Sequence, residues 1–452
     1  MATFKQSNRQ PRSSLQSRQR VNKWAAVIVP LIIAGAVGYA TWVVVVLVGV
    51  HYLLQPGPNT NVAARPGAAG AIIAIYFLLF FLMAAAYFRT LQTARWSPGY
   101  VPQGPARDTL RSTFVEEPYV EVEWPCSKPK HSQESDLEKQ EDRQGKVPGY
   151  YIHTLDMDAI FKGDVAPPPG MEEFYSHDVF QCDPNGLPIW CGTCRNWKPD
   201  RVHHCSDNGR CVLKLDHYCP WVGGVVGEAN FKFFVQFNIY GMLYTAFILI
   251  VMAVFVAEAK RVGTGMVNVP WIIAIALSAM FFFFTSGMAM KSSQDLIRNL
   301  TTVDAIDHQR RTVFLAVKLY DGQTGPLQKE GLHDAIPWQG TIAYPFYTRD
   351  TPEADRAPRT TFAILCTPPG LNPWNLGPLG NWRDIMGNSW FDWLLPLRKS
   401  PCWDHSSKQS MYALGPGFEE LLRRAGIESV KRAHRPRRGP RSRSADLESA
   451  RR

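Results

Sequence analysis

Four long stretches of this 452-residue sequence contain no charged side chain. A helix that crosses a bilayer needs about 20 apolar residues. Each stretch has at least 23 residues, and they cover 24–50, 66–88, 233–257 and 262–290. The mean hydropathy of −0.16 is that of an ordinary soluble protein, but the apolar residues are clustered. The missing charges therefore exclude a single soluble globular domain, and four stretches of this length make buried core helices the weaker alternative.

Further absences exclude or disfavour several classes of protein. The sequence has no glycine-rich loop of the kind that cradles nucleotide phosphates, and it has no internal repeat. The four apolar stretches also lack the charged residues that normally mark an ion or substrate path through a membrane, which disfavours a transporter. The first stretch is too long for a signal peptide, and no clear cleavage pattern follows it.

The charges beside the spans predict their orientation. Residues 1–23 contain six Lys or Arg and no Asp or Glu, so the positive-inside rule predicts a cytoplasmic, basic N-terminal tail. Four transmembrane helices then return the chain to the cytoplasm, and we predict them at 24–50, 66–88, 233–257 and 269–290. The short loops 51–67 and 258–269 are expected outside, and the large segments 89–232 and 291–452 are expected in the cytoplasm.

Two segments have compositions typical of chain without a packed core. Residues 126–147 are polar and highly charged, so we expect an exposed, mobile insertion. The C-terminal end, about 429–452, is rich in Arg and is predicted to be disordered. Anionic lipid headgroups are the favoured neighbour of such a tail beside a membrane, and no nucleic-acid partner is predicted.

Six of the nine cysteines lie between residues 182 and 219. The cytoplasm is reducing, so metal binding or catalysis is favoured over disulfides. A C-x2-C pair followed by one histidine and one more cysteine can bind zinc tetrahedrally, and these residues are Cys191, Cys194, His204 and Cys211. Four protein ligands leave the ion no open position, so the predicted zinc site is structural. It would stabilise a loop-rich segment that has little apolar core of its own.

A second group of reactive residues follows, with Asp216, His217 and Cys219 within four positions. Cysteine attacks as the thiolate, a histidine can accept its proton, and a carboxylate can orient that imidazole. The alternative is that Cys219 is one more metal ligand, although the four residues upstream already complete a site. Cys219 lies only about a dozen residues before the third span, which suggests chemistry on lipid-like acyl groups.

From Cys191 to Phe234 the sequence resembles the DHHC protein S-acyltransferases, or palmitoyltransferases. The resemblance rests on C-x2-C, on KPDRVHHC, on C-x4-D-H-x-C-P-W and on G-x2-N-x3-F. The four spans, with the cysteine-rich domain (about 189–239) between the second and third, also match the family. Weaker matches are SPG at 97–99, NLTTVD at 299–304 and NPWNLGPLGNW at 372–382.

The resemblance implies an α-helical multi-pass membrane enzyme with a cytoplasmic, zinc-stabilised cysteine-rich domain. Cys219 would take a long-chain acyl group, such as palmitoyl, from acyl-CoA and pass it to a cysteine of a membrane-associated protein. His217 would be the base, Asp216 would orient it, and Trp221 would pack beside the thioester. Basic residues could bind the CoA phosphates or be plain surface charges, and the candidates are Lys198, Arg201 and Lys214.

The sequence departs from the family at a second zinc site. The signature reads DHYC, as in a fungal subgroup, because Tyr218 replaces its second histidine. The family's second ligand set matches Cys205, Asn208, Tyr218 and Val225, and three of these four are poor ligands or none. We therefore predict one zinc ion, with hydrogen bonds from Tyr218 and Asn208 and packing of Val225 in place of the second.

Loss of the second metal raises an alternative, a non-catalytic, zinc-stabilised membrane adaptor. Drift after a loss of activity would have little reason to spare Asp216, His217 and Cys219 while removing the neighbouring metal ligands. The enzyme is therefore the favoured interpretation.

Metal content tests the single-site hypothesis. We expect the purified protein to contain one zinc ion per chain, because only the first ligand set consists entirely of Cys and His. Elemental analysis normalised to protein concentration measures this ratio. A ratio of two would contradict the hypothesis.

Overall fold

A computed structural model describes residues 12–57, 63–104, 157–262, 268–306, 308–320, 323, 325 and 335–427. Some sequence predictions lie outside these residues. They concern the insertion at 126–147, the basic end at about 429–452 and the first part of the N-terminal tail.

The described residues form ten α-helices and ten short strands. The helices α1 to α10 cover Arg12–Thr41, Pro66–Trp96, Met157–Lys162, Glu172–Tyr175, Phe231–Val262, Val269–Arg298, Thr302–Ala305, Pro378–Met386, Trp390–Leu394 and Pro416–Arg424. The strands β1 to β10 cover Val179–Cys182, Ile189–Cys191, Asn196–Lys198, Val202–Cys205, Arg210–Leu213, His217–Cys219, Gly224–Val226, Phe314–Lys318, Gly340–Tyr344 and Thr360–Cys366.

Four of the described helices are long and apolar enough to cross a membrane: α1 with its π-helical continuation to Leu54, α2, α5 and α6. The predicted class of α-helical multi-pass membrane protein is confirmed. The helices are longer than the charge-free stretches, however. In particular, α1 begins at Arg12, so part of the predicted tail is helical.

The helices pack around α5, which lies against both α2 and α6. Their shared core contains Val44, Tyr76, Tyr244 and Met252 among other buried residues. At the end of the bundle away from the cysteine-rich domain, Arg65 makes a bidentate ion pair with Glu258 on α5. Many large apolar side chains on the outer helix faces are exposed, as a lipid-facing surface requires.

The cysteine-rich domain consists of three antiparallel hairpins. They pair β2 with β3, β4 with β5, and β6 with β7. Each strand has only three or four residues, and isolated hairpins of this size are marginally stable in water. The domain therefore depends on contacts beyond its own strands.

Strand β1 and three strands from the region after α6 form a sheet that the sequence did not reveal. Its order is β1-β8-β10-β9, with all neighbours antiparallel. Alternate side chains pack on its two faces. One face packs against Trp190 and Trp197 of the cysteine-rich domain, and the other packs against α10 and Tyr412.

A buried arginine joins the cysteine-rich domain to the end of α6. Asn299 ends α6 in the left-handed conformation, with φ 49°, which Asn tolerates. The guanidinium of Arg201 donates to the Asn299 side-chain oxygen at 2.8 Å and to Asp304 Oδ2 at 2.7 Å. Burial alone raises the pKa of Asp304, but the facing charge of Arg201 more than offsets it and holds the pKa well below its ordinary value.

The Arg201→Met variant removes this buried cation from Oδ2 of Asp304 and from the end of α6, while Oδ1 of Asp304 keeps its ion pair with Arg311. We expect the free energy of unfolding to fall by about 3 kcal/mol, as for other broken buried pairs. Arg349→Met is the matched control, because its ion pair with Asp164 is largely exposed and should be worth no more than about 1 kcal/mol. Equal losses of stability in detergent would contradict the assigned role of Arg201.

Candidate active site and metal centre

The four predicted metal ligands converge. The ligand atoms of Cys191, Cys194, His204 and Cys211 all lie within 4.8 Å of one another. His204 Nδ1 is 3.3 Å from Cys194 Sγ and 3.6 Å from Cys191 Sγ. Three thiol sulfurs and one imidazole nitrogen around a common point are a donor set suited to tetrahedral zinc. The residues at this site therefore fit a metal ion.

The chain that leaves α2 packs directly on this cluster. The backbone amide of Val101 donates to the Cys211 carbonyl at 3.0 Å, and that of Gly104 donates to the Cys194 carbonyl at 3.0 Å. Within the C-x2-C turn, the Cys194 amide donates to Cys191 Sγ at 3.4 Å. A metal held here would therefore also fix the cysteine-rich domain to the second membrane helix.

The residues that match the family's second zinc site form an apolar cluster instead. Its buried members are Cys205, Val212, Leu215 and Val225, and Tyr100, Tyr218 and Val303 pack against them. Asn208 donates a hydrogen bond to the hydroxyl of Tyr100. Val225 has no ligand atom. The side-chain amide of Asn208 is bonded to Tyr100, and the hydroxyl of Tyr218 donates to the backbone carbonyl of Asn22. These residues do not fit a metal ion.

Asp216 and His217 are linked by a hydrogen bond beside Cys219. Nδ1 of His217 lies 2.6 Å from Oδ2 of Asp216. Side chains alternate along a strand, so His217 and Cys219 share one face of β6 while Tyr218 points to the other. The structure therefore places the three residues that the sequence singled out side by side, with the imidazole bonded to Asp216.

The neighbours of His217 hold it in its charged form. Burial by itself disfavours the imidazolium, but the neighbouring Asp216 and Cys219 more than offset this and raise the pKa of His217 to about 10. The imidazolium is therefore the stable form of His217 at neutral pH.

Thr302 is a site residue to which the sequence analysis assigned no role. Its backbone amide donates to Oδ1 of Asp216 at 2.6 Å, and its hydroxyl donates to Oδ2 at 3.1 Å. A capping box between Thr301 and Asp304 fixes the start of α7 and so directs the Thr302 amide. Thr302 lies in the NLTTVD segment noted in the sequence. Its hydrogen bonds with Asp216 join positions 86 residues apart, so a local sequence pattern does not indicate them.

An apolar cavity opens beside Cys219 and runs into the helix bundle. The empty space in it, including its open mouth, is about 920 Å³. On α5 it is lined from Phe234 to Ile248, about 21 Å of helix at 1.5 Å per residue. One leaflet is about half of a 30 Å hydrocarbon core, so the lined stretch of α5 is longer than one leaflet is thick.

The polar side chains in the cavity wall do not make it polar. Asn238, Thr245, Ser278 and Thr285 donate to carbonyls of their own helices. At the cavity mouth, Trp221 packs against Phe284 with 4.9 Å between ring centroids. Deep in the bundle, a Thr41–Tyr76–Tyr244 chain of hydroxyl contacts of 2.7 Å and 2.6 Å joins three helices at the Tyr244 end of the cavity.

The three basic residues considered for CoA phosphates are all buried. Lys198, Arg201 and Lys214 are only 3%, 2% and 6% exposed. Arg201 is bonded to Asp304, and Lys214 Nζ lies 3.8 Å from Asp384 Oδ2. They are therefore not the plain surface charges considered as the alternative. Contact of any of them with a CoA phosphate would require this region to open.

Comparisons with known proteins agree with this site. The DHHC palmitoyltransferase family matches residues 185–309. Palmitoyltransferase pfa5 of Aspergillus fumigatus is 39% identical over 417 residues, which are 91% of this chain and 92% of that protein. Palmitoyltransferase pfa5 of Emericella nidulans is 33% identical, over 92% of this chain and 88% of that protein. The chain therefore belongs to the DHHC palmitoyltransferase family of membrane-bound acyltransferases.

Proposed function

We propose that this acyltransferase moves a long-chain acyl group from acyl-CoA to cysteines of membrane-associated proteins through a thioester on Cys219. The observation that carries the proposal is the position of Cys219. Its thiol lines the mouth of an apolar cavity inside the membrane bundle and lies on the same face of β6 as His217. A non-catalytic adaptor would need neither this cavity nor the contact from His217 to Asp216.

The first step forms the acyl-enzyme. The thiolate of Cys219 attacks the carbonyl carbon of acyl-CoA, and the bond from that carbon to the CoA sulfur breaks. The CoA thiolate leaves and can take the proton from the imidazolium of His217. The hydrocarbon chain lies in the cavity, and Trp221 packs beside the reacting thioester at its mouth. Palmitoyl-CoA is the expected donor, because the cavity lining on α5 is longer than one leaflet is thick.

The second step releases the acyl group to the protein substrate. A substrate cysteine gives its proton to the neutral His217 and attacks the carbonyl carbon of the thioester on Cys219. The Cys219 thiolate leaves and again faces an imidazolium. One thioester replaces another in each step, so the transfer requires no nucleotide. Asp216 orients His217 in both steps and stabilises its charged form.

The proposed metal ion is a single structural Zn²⁺ held by Cys191, Cys194, His204 and Cys211. When bound, it would cross-link the hairpins of a domain that has little core, without taking part in acyl transfer. The basic residues in 1–23 support N- and C-termini in the cytoplasm, where acyl-CoA and substrate cysteines are available.

The Cys219→Ser variant should abolish acyl loading from labelled acyl-CoA, because a serine hydroxyl is not ionised by a neighbouring imidazolium. Zinc content should be unchanged, since position 219 is outside the metal cluster. Cys402→Ser is the matched control. Cys402 belongs to the same apolar cluster, but burial raises the pKa of its thiol to about 12, so loading should persist. Loading of Cys219→Ser at the wild-type rate would refute the acyl-Cys219 intermediate.

The Asp216→Asn variant keeps the side-chain shape but removes the charge that raises the pKa of His217. We expect loading at about pH 7 to fall roughly 10²-fold and to recover as the pH approaches the free-thiol pKa of about 8.5. The wild-type rate should vary little over this range, because His217 keeps its proton until about pH 10. Single-turnover rates across pH measure both enzymes, and parallel profiles would contradict the role of Asp216.

A further inference from the structure

The catalytic strand β6 is short and needs support from outside its hairpin. It has three residues and, within the part of the chain that the structure describes, pairs only with β7; a lone two-stranded hairpin is marginally stable. The residues behind it do not fit the second zinc ion implied by the family resemblance. Tyr218, on the face of β6 opposite His217 and Cys219, packs into the apolar cluster at that place.

The N-terminal end of α1 meets the same region through hydrogen bonds. The side-chain amide of Asn22 donates to Oδ1 of Asp207 at 3.0 Å, in the turn between β4 and β5. The hydroxyl of Tyr218 donates to the backbone carbonyl of Asn22 at 3.4 Å. One residue of α1 therefore contacts both the β4–β5 turn and the catalytic strand.

A third contact lies one turn further along α1. Gly223 follows the Cys219-Pro220-Trp221-Val222 segment in the left-handed conformation, with φ 64°. A β-carbon at this position would lie 3.1 Å from the carbonyl oxygen of Ala26. Only glycine allows this approach without strain or displacement, so the backbone of α1 lies directly against the turn that follows the nucleophile.

The same helix then forms a wall of the acyl cavity. Ile33, Ala36, Val37 and Ala40 of α1 line the cavity that opens at Cys219. Residues 22 and 26 contact the catalytic hairpin, and residues between 33 and 40 line the cavity. A single helix therefore sets the distance between the nucleophile and the cavity wall.

We propose that the N-terminal end of α1 is a positioning element for Cys219 and takes the place of the second zinc ion in supporting β6. The positioning residues are Asn22 on α1 and Tyr218 on β6, and Asp207 is the hydrogen-bond partner of Asn22. The proposal rests on the acyl-Cys219 function proposed above. It predicts that contacts with a membrane helix affect the rate of acyl loading without touching the reacting atoms.

Exchanging the side chains of Asn22 and Asp207 tests the positioning role of α1. Asn22→Asp places two carboxylates at a distance of about 3 Å, where each repels the other. We expect the loading rate at saturating acyl-CoA to fall at least about tenfold, which corresponds to about 1.4 kcal/mol in the barrier. The acyl-CoA concentration for half-maximal loading should stay the same, because the cavity wall is unchanged.

The double variant Asn22→Asp, Asp207→Asn restores a donor opposite an acceptor with their positions exchanged. Its loading rate should return to within about twofold of wild type, which a general disturbance of the fold would not allow. Tyr218→Phe keeps the packing and loses one long hydrogen bond, so its loss should be smaller than that of Asn22→Asp. Zinc content and thermal midpoint are measured for every variant.

The outcomes separate this proposal from the proposed function. If wild-type protein does not load acyl chain, the acyl-Cys219 function is wrong. If it loads and Asn22→Asp loads equally fast, only the positioning role of α1 is wrong. Loss of zinc or of folding in Asn22→Asp, or failure of the double variant to recover, would also overturn positioning in favour of a purely structural contact.

Discussion

The carboxylate of Asp216 connects the catalytic strand of the cysteine-rich domain to the chain that follows the fourth membrane helix. One side accepts hydrogen bonds from Thr302, which follows the fourth membrane helix, and the other contacts His217 on the catalytic strand. A buried carboxylate is costly unless it is fully hydrogen-bonded. The same contacts that satisfy its charge therefore fix the imidazole beside Cys219 and hold the cysteine-rich domain against the membrane bundle.

Much of the remaining structure compensates for the small size of that domain. Its three hairpins bury few apolar side chains between them, and each contacts larger elements. The β2–β3 hairpin packs through Trp190 and Trp197 on the four-stranded sheet, Arg201 before β4 connects to the end of α6, and Asn22 of α1 contacts both the β4–β5 turn and β6. A loop-rich region thus becomes rigid by being attached at several places to larger elements.

The sequence predicted the parts of this protein that follow from local patterns. Missing charges located the four long helices, and cysteine spacing located the ligand cluster, because both signals lie within short segments. The sheet was not predicted. Its strands β1 and β8 are buried on both faces and show no apolar–polar alternation, and they pair across more than a hundred residues. The burial of Lys198, Arg201 and Lys214 was not predicted either. The sequence indicates only that they are basic, which fits both CoA-phosphate binding and plain surface charges, and it does not show which element covers them.

The connectivity of the four-stranded sheet constrains how the polypeptide matures. β1 precedes α5 and α6 in the chain, whereas its partner β8 follows them. The hairpins of the cysteine-rich domain have all their residues as soon as they leave the ribosome, but β1 must wait until two further helices have been synthesised and inserted. Completion of this sheet is therefore a late event, because its long-range pairing cannot form before the chain beyond α6 has been made.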